Sequence, residues 1–185
     1  LPVSGMARAR LDCQAAQCWS EIGNLENTLT SLSASENTID GPPQSLDEAD
    51  GIFFFSRAKH HYYAGNGLLR FCPETSNRAE QETRLALQLF GEGDEDTKSV
   101  SDELLALVYL ATAIFHQGRI DEVPEALHPL FIAAPAFRTA WHLRKLQRLG
   151  SRLKENPRFR DSEVTRNVLA AIEEFKLGMK VDVPS

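Results

Sequence analysis

The chain has 185 residues and a formal net charge of −6, with twenty Lys and Arg against twenty-six Asp and Glu. Domains run about 100 to 200 residues, so one substantial core is expected over 1–185, and charge interspersed with ordinary apolar content excludes a disordered or fibrous chain. The acidic balance argues against a chain-wide nucleic-acid footprint but leaves room for a local basic patch, and the longest apolar run, Leu104 to Phe115, is well short of the roughly 20 residues that span a membrane.

Helix signals dominate, and an all-α architecture of four antiparallel pairs is expected, with helices over about 3 to 22, 25 to 35, 47 to 72, 77 to 91, 101 to 117, 120 to 134, 137 to 154 and 161 to 177. The first pair turns at Gly23-Asn24 and the third at Gly118-Arg119, where a helix C-terminus needs a residue tolerant of left-handed backbone angles. Residues 33–46 carry Asn37, Asp40, Gly41, Pro42 and Pro43, a composition that reads as an exposed inter-repeat loop. The β-like cluster Ile52-Phe53-Phe54-Phe55 runs straight into helix-forming sequence. Between Gly91 and Ser99, Glu92, Asp94, Glu95 and Asp96 make a near-continuous run of negative charge, either a solvated loop or an acidic contact surface. Asp102 and Glu103 fall in the first turn of the fifth helix, where they complement its dipole, and Asp161 or Ser162 can open the last helix. Pro124 is tolerable near a helix start, whereas Pro129 predicts a kink or an early stop.

Cys13, Cys18 and Cys72 cannot all pair within one chain and match no zinc or redox spacing, which fits buried thiols in a reducing cytoplasm. The N-terminus carries no secretory signal, and a start at Leu1 instead of Met suggests a fragment whose preceding part has been removed. No phosphate-cradling loop or nucleophile elbow is present, so neither a cofactor nor an enzymatic activity is expected. His60 and His61 are adjacent, about 100° apart around a helix, and cannot chelate one metal as an i, i+4 pair would. His116, His128 and His142 lack partners at ligand spacing. No metal site follows.

Small residues recur as in a helical-hairpin repeat of about 34 residues, where close helix approach demands them near the eighth, twentieth and twenty-seventh positions. Gly67, Ala79 and Ala86 occupy these places in the second pair, with Phe71 one residue beyond the large position. In the first pair Ala16 and Trp19 fit and Gly23 makes the turn, while Thr28 and Ser35 replace the later alanines. In the third, Ala111, Ile114 and Gly118 fit, and Val123 and Leu130 are larger than expected. This pattern resembles the tetratricopeptide repeat and predicts a TPR-like α-α superhelix.

Longer phrases, Ser56-Arg57-Ala58-Lys59-His60-His61-Tyr62-Tyr63-Ala64-Gly65, Asp102 to Gly118, Gly118 to Leu130 and Arg148 to Phe175, resemble the tetratricopeptide-like C-terminal region of actinobacterial XRE-type helix-turn-helix regulators. The resemblance implies a cytoplasmic transcription regulator, with this chain as its sensing or dimerising part and the DNA-reading part absent. Direct nucleic-acid binding by this fragment is then not expected, nor is membrane association. Expected partners are a peptide, a small effector or a protein, with a homodimer one candidate assembly. The alternative is a structural scaffold or adaptor with no small effector.

Stacking of this kind would place Arg10, Cys13, Gln17 and Ser20 of the first pair on a concave groove, with His61, Ala64, Leu68 and Phe71 of the second and Leu105, Val108, Thr112 and Phe115 of the third. The competing reading of each is ordinary core. Between Phe137 and Lys154 the chemistry separates by face: Leu143, Leu146, Leu149 and Leu153 form an apolar seam, and Arg138, Lys145, Arg148 and Arg152 share another side with Trp141. That basic face could dock nucleic-acid phosphate, the acidic loop of another subunit or the missing DNA-reading part. It could equally be a solvated surface whose Arg stems cover Trp141.

Overall fold

The computed structural model describes residues 5–41, 55–93 and 99–179. These residues form eight α-helices and no strand: α1 Gly5–Glu21, α2 Leu25–Asp40, α3 Arg57–Leu68, α4 Ser76–Glu92, α5 Val100–His116, α6 Val123–Ile132, α7 Ala140–Glu155 and α8 Glu163–Gly178. The chain divides into two compact units, Leu1–Lys98 with α1 to α4 and Ser99–Ser185 with α5 to α8. In the first, α1 packs on α2, α3 on α4, and α3 lies against both α1 and α2. In the second, α5 packs on α6, α7 on α8, and the two hairpins meet through α5 with α7 and α6 with α8.

Local chemistry sets most of the boundaries. Among the described residues, Gly23 and Gly118 are the glycines with positive φ, 76° and 79°, and each closes a helix with paired bonds: Asn24 N donates to Trp19 O (3.0 Å) and Gly23 N to Ser20 O (3.1 Å), while Arg119 N donates to Ile114 O (3.2 Å) and Gly118 N to Phe115 O (2.9 Å). Asn24 also caps α2, accepting from Asn27 N at 3.0 Å. Ser56, Ser99 and Ser162 cap α3, α5 and α8 by accepting from the backbone N–H three residues on. Ser162 therefore opens the last helix, and Asp102 and Glu103 lie in the first turn of α5.

Several expected boundaries move. Residues 33–40 are helical, not loop, because α2 runs on to Asp40. Leu32 and Ser35 are buried, and Thr38 Oγ1 satisfies itself on Ala34 O at 2.9 Å, so the polar composition does not stop the helix. The remaining loop positions, 42–46, lie outside the described residues, as do 47–54 of the expected third helix and Asp94, Glu95 and Asp96. That helix begins only at Arg57, after buried Phe55, and passes into a 3₁₀ turn at Leu69–Phe71. Pro124 sits in the first turn of α6, and Pro129 is accommodated with the helix ending three residues later.

The core consists mainly of small and aliphatic side chains. Ala16, Thr28 and Ser35, Ala79 and Ala86, and Ala111, Val123 and Leu130 are all fully buried. The aromatic expected at the first pair's large position, Trp19, is instead 37% exposed. A Cβ on Gly67 would lie 3.1 Å from Gln17 Nε2, and one on Gly65 only 2.3 Å from Thr83 Oγ1, so glycine is what lets α3 approach α1 and α4 this closely.

Candidate functional site

Two places concentrate chemistry, one in each unit. In the first unit, a buried polar cluster joins all four helices. Cys13 of α1 donates its thiol hydrogen to Ser35 Oγ of α2 (3.2 Å), Ser35 Oγ lies 3.0 Å from His60 Nδ1 of α3, and Cys13 Sγ is 3.6 Å from the same nitrogen. Beside it, His61 Nδ1 sits 2.7 Å from Glu82 Oε2 of α4. His61 Nε2 is buried with no hydrogen-bond partner. Gln17 extends the network, donating from Nε2 to Tyr63 O at 2.8 Å and accepting from Asn66 Nδ2.

Burial pushes the Cys13 thiol up to about 12, despite the lowering effect of its bond to Ser35. Burial likewise lowers His60 to about 4, helped by the neighbouring His61. Burial works to raise Glu82, but the hydrogen bond and charge of His61, with Arg78, hold its carboxyl below the ordinary range. Cys13 and His60 are therefore both neutral at neutral pH, the opposite of the thiolate and imidazolium pair that nucleophilic chemistry requires. The cluster clamps helices through polar bonds.

In the second unit, α7 separates two faces. Leu146, Leu149 and Leu153 are buried, and Trp141, Arg144 and Arg148 are exposed. The Arg144 guanidinium stands 5.0 Å over the Trp141 ring, and Lys145 Nζ lies 5.6 Å from that ring and 5.1 Å from the Tyr109 ring. Arg138 turns away from this face, donating to Ala133 O (3.0 Å) and Phe131 O (2.9 Å) and covering the Phe175 ring at 5.0 Å. Arg152 turns to His116, with Nη1 2.9 Å from Nε2. Burial and the Arg152 charge lower His116 to about 4. Thr139 and His142 form a capping box: His142 Nδ1 accepts from Thr139 N (3.0 Å), so its Nε2 carries the hydrogen and donates to Ser101 O (2.9 Å). A shallow cleft of about 290 Å³ opens between α7 and α8, floored by Gly150, Leu169 and Ile172 and rimmed by Lys154 and Glu173.

Most residues expected on a concave groove are enclosed. Cys13, Ser20, Ala64, Leu68, Leu105, Val108, Thr112 and Phe115 are buried, as is His61. The hydroxyls among them are met internally: Ser20 Oγ donates to Gln17 O (2.8 Å) and Thr112 Oγ1 to Val108 O (2.7 Å), which lets them sit where repeat position alone suggests an open face. Gln17 and Phe71 are half-buried, and Arg10 is exposed. Among the basic-face residues, Trp141, Lys145 and Arg148 remain together, while Arg138 and Arg152 serve other contacts. The expectation of buried thiols holds for Cys13 and fails for Cys18, which is exposed, with Cys72 between them.

The sequence reading missed Ser35, His60 and Glu82 as cluster members, and Arg144 beside Trp141. Only the Arg144 spacing, three residues from Trp141 on one helix, gave a local signal. Among the described residues, no helix is long and apolar enough to cross a membrane, and no group of His, Cys, Asp and Glu could hold a metal ion. No protein-family model, curated protein or solved structure matches the chain.

Proposed function

We propose that the chain is a TPR-like α-α superhelical interaction domain, the sensing or dimerising part of a cytoplasmic transcription regulator of the XRE type. The observation that carries this reading is the burial of Ala16, Thr28, Ser35, Gly67, Ala79, Ala86 and Ala111 at the repeat's close-packing positions, with Gly67 against Gln17 and Thr28. Hairpins that depend on tiny side chains for close approach are the building units of stacked-repeat surfaces, which recognise partners rather than transform substrates. Its mechanism is a population shift: a peptide or small effector must bind one helix arrangement better than another, since equal binding changes nothing.

Thermal unfolding of the purified chain against pooled peptides and small metabolites tests the proposal. A ligand that raises the melting temperature in a concentration-dependent way supports it, and the absence of any such ligand counts against it.

A structural scaffold without a small effector is the second reading, favoured by α1. That helix buries Ala9, Cys13 and Ala16 yet leaves Leu11 51% exposed on its opposite face, and Ile22, in the turn just after it, is 71% exposed. Light scattering separates the two: a monomer at all concentrations removes the homodimer version.

A further inference from the structure

We propose that the outward face of α7, built from Trp141, Arg144 and Arg148, docks a short acidic segment of a partner protein. This names the partner chemistry for the interaction-domain reading and rests on it. Eight of the chain's twenty Lys and Arg fall between residues 138 and 160, where Glu155 is the single carboxylate. Arg138 and Arg152 are spent on backbone carbonyls and on His116. Arg144 and Arg148 point outward, and among the described residues neither takes part in an ion pair. Between them and the helix N-terminus stands Trp141, half exposed, with cations over its ring from Arg144 and Lys145.

Charge and dimension choose the occupant. Arg144 and Arg148 leave α7 about one helical turn apart, about 6 Å along the axis, a spacing close to that of side chains two residues apart on an extended chain. Each guanidinium fork pairs with a carboxylate in bidentate fashion, and the indole offers an apolar platform for an aliphatic side chain beside them. A nucleic-acid duplex fits less well. Duplex binding typically neutralises about six to ten phosphates, more than this face can meet, and a net charge of −6 repels a long polyanion.

The test uses the whole chain carrying Trp19→Phe, which leaves Trp141 as its one tryptophan, and an octapeptide of Asp and Glu with a central leucine as probe. Saturable change of Trp141 fluorescence at low ionic strength is expected, weakening steeply with added salt. Arg144→Glu with Arg148→Glu should weaken binding by about tenfold or more, and the corresponding Gln pair by a smaller factor. Helical circular dichroism and melting temperature should stay unchanged in both, because the substituted side chains lie opposite the buried leucines. Three outcomes overturn the proposal: no saturable binding at low salt, equal binding by the charge-reversed chain, or tighter binding of a short random duplex or of anionic vesicles. If peptides that stabilise the chain bind the reversed variant undiminished, the docking face falls and the interaction reading stands. If neither a peptide nor a small metabolite binds or stabilises the chain, both fall.

Discussion

Acid should weaken the first unit through His60. The side chain is 3% exposed, with Nδ1 held 3.0 Å from Ser35 Oγ and 3.6 Å from Cys13 Sγ. Burial first, then the charge of His61, lowers it from the ordinary 6.5 to about 4, with Glu82 pulling weakly the other way. Between those two values an unfolded chain binds a proton that the folded chain refuses, so stability is full above about pH 6.5 and falls as pH drops toward 4. A shift of this size is worth about 3 kcal/mol when fully expressed, of which about 2 kcal/mol is lost between pH 7 and pH 5. Urea unfolding at pH 7, 6 and 5 measures the slope. His60→Asn removes the titrating ring while keeping a polar group near Ser35 Oγ, and its stability should fall clearly less than the parent's over the same range, the remaining loss coming from half-buried His116, also lowered to about 4. If the Asn variant loses as much stability between pH 7 and 5 as the parent, His60 is not the proton-binding group and the account of the cluster is wrong.

Gly65→Ala should destabilise by about 2 kcal/mol despite alanine's better helix propensity, since its Cβ would sit 2.3 Å from Thr83 Oγ1. Adding Thr83→Ala should recover most of the loss in a double-mutant cycle, and strict additivity would refute the contact. Gly23→Ala tests the backbone alone: φ is 76° and nothing lies within 4 Å of the new methyl, so a cost of about 1 kcal/mol by chemical denaturation is expected. A thiol-exchange reagent should label Cys18 rapidly and reach Cys13, neutral and enclosed, only as fast as the first unit opens. Rapid labelling of Cys13 in the native chain would contradict its burial.

Helix content, pair order and turns were legible because they depend on local chemistry. A glycine that must adopt positive φ announces Gly23 and Gly118, an apolar seam on one side of a helix announces Leu146, Leu149 and Leu153, and a small residue at repeat spacing announces Gly67 and Ala79. What failed was the assignment of open surface. Cys13, Ser20 and Thr112 look equally suited to a groove or a core by type and spacing; Ser20 and Thr112 satisfy their hydroxyls on carbonyls of their own helices, whereas only the tertiary structure brings the Ser35 hydroxyl to Cys13. The same holds for the polar cluster: Cys13, Ser35, His60 and Glu82 come from four different helices, and no periodicity within one helix encodes a meeting between them. On α7 the sequence determined that cations and a tryptophan share a side. Which cations stay outward was decided by neighbours from other helices, because His116 and the carbonyls of Phe131 and Ala133 claim Arg152 and Arg138 and leave Arg144 and Arg148 to solvent.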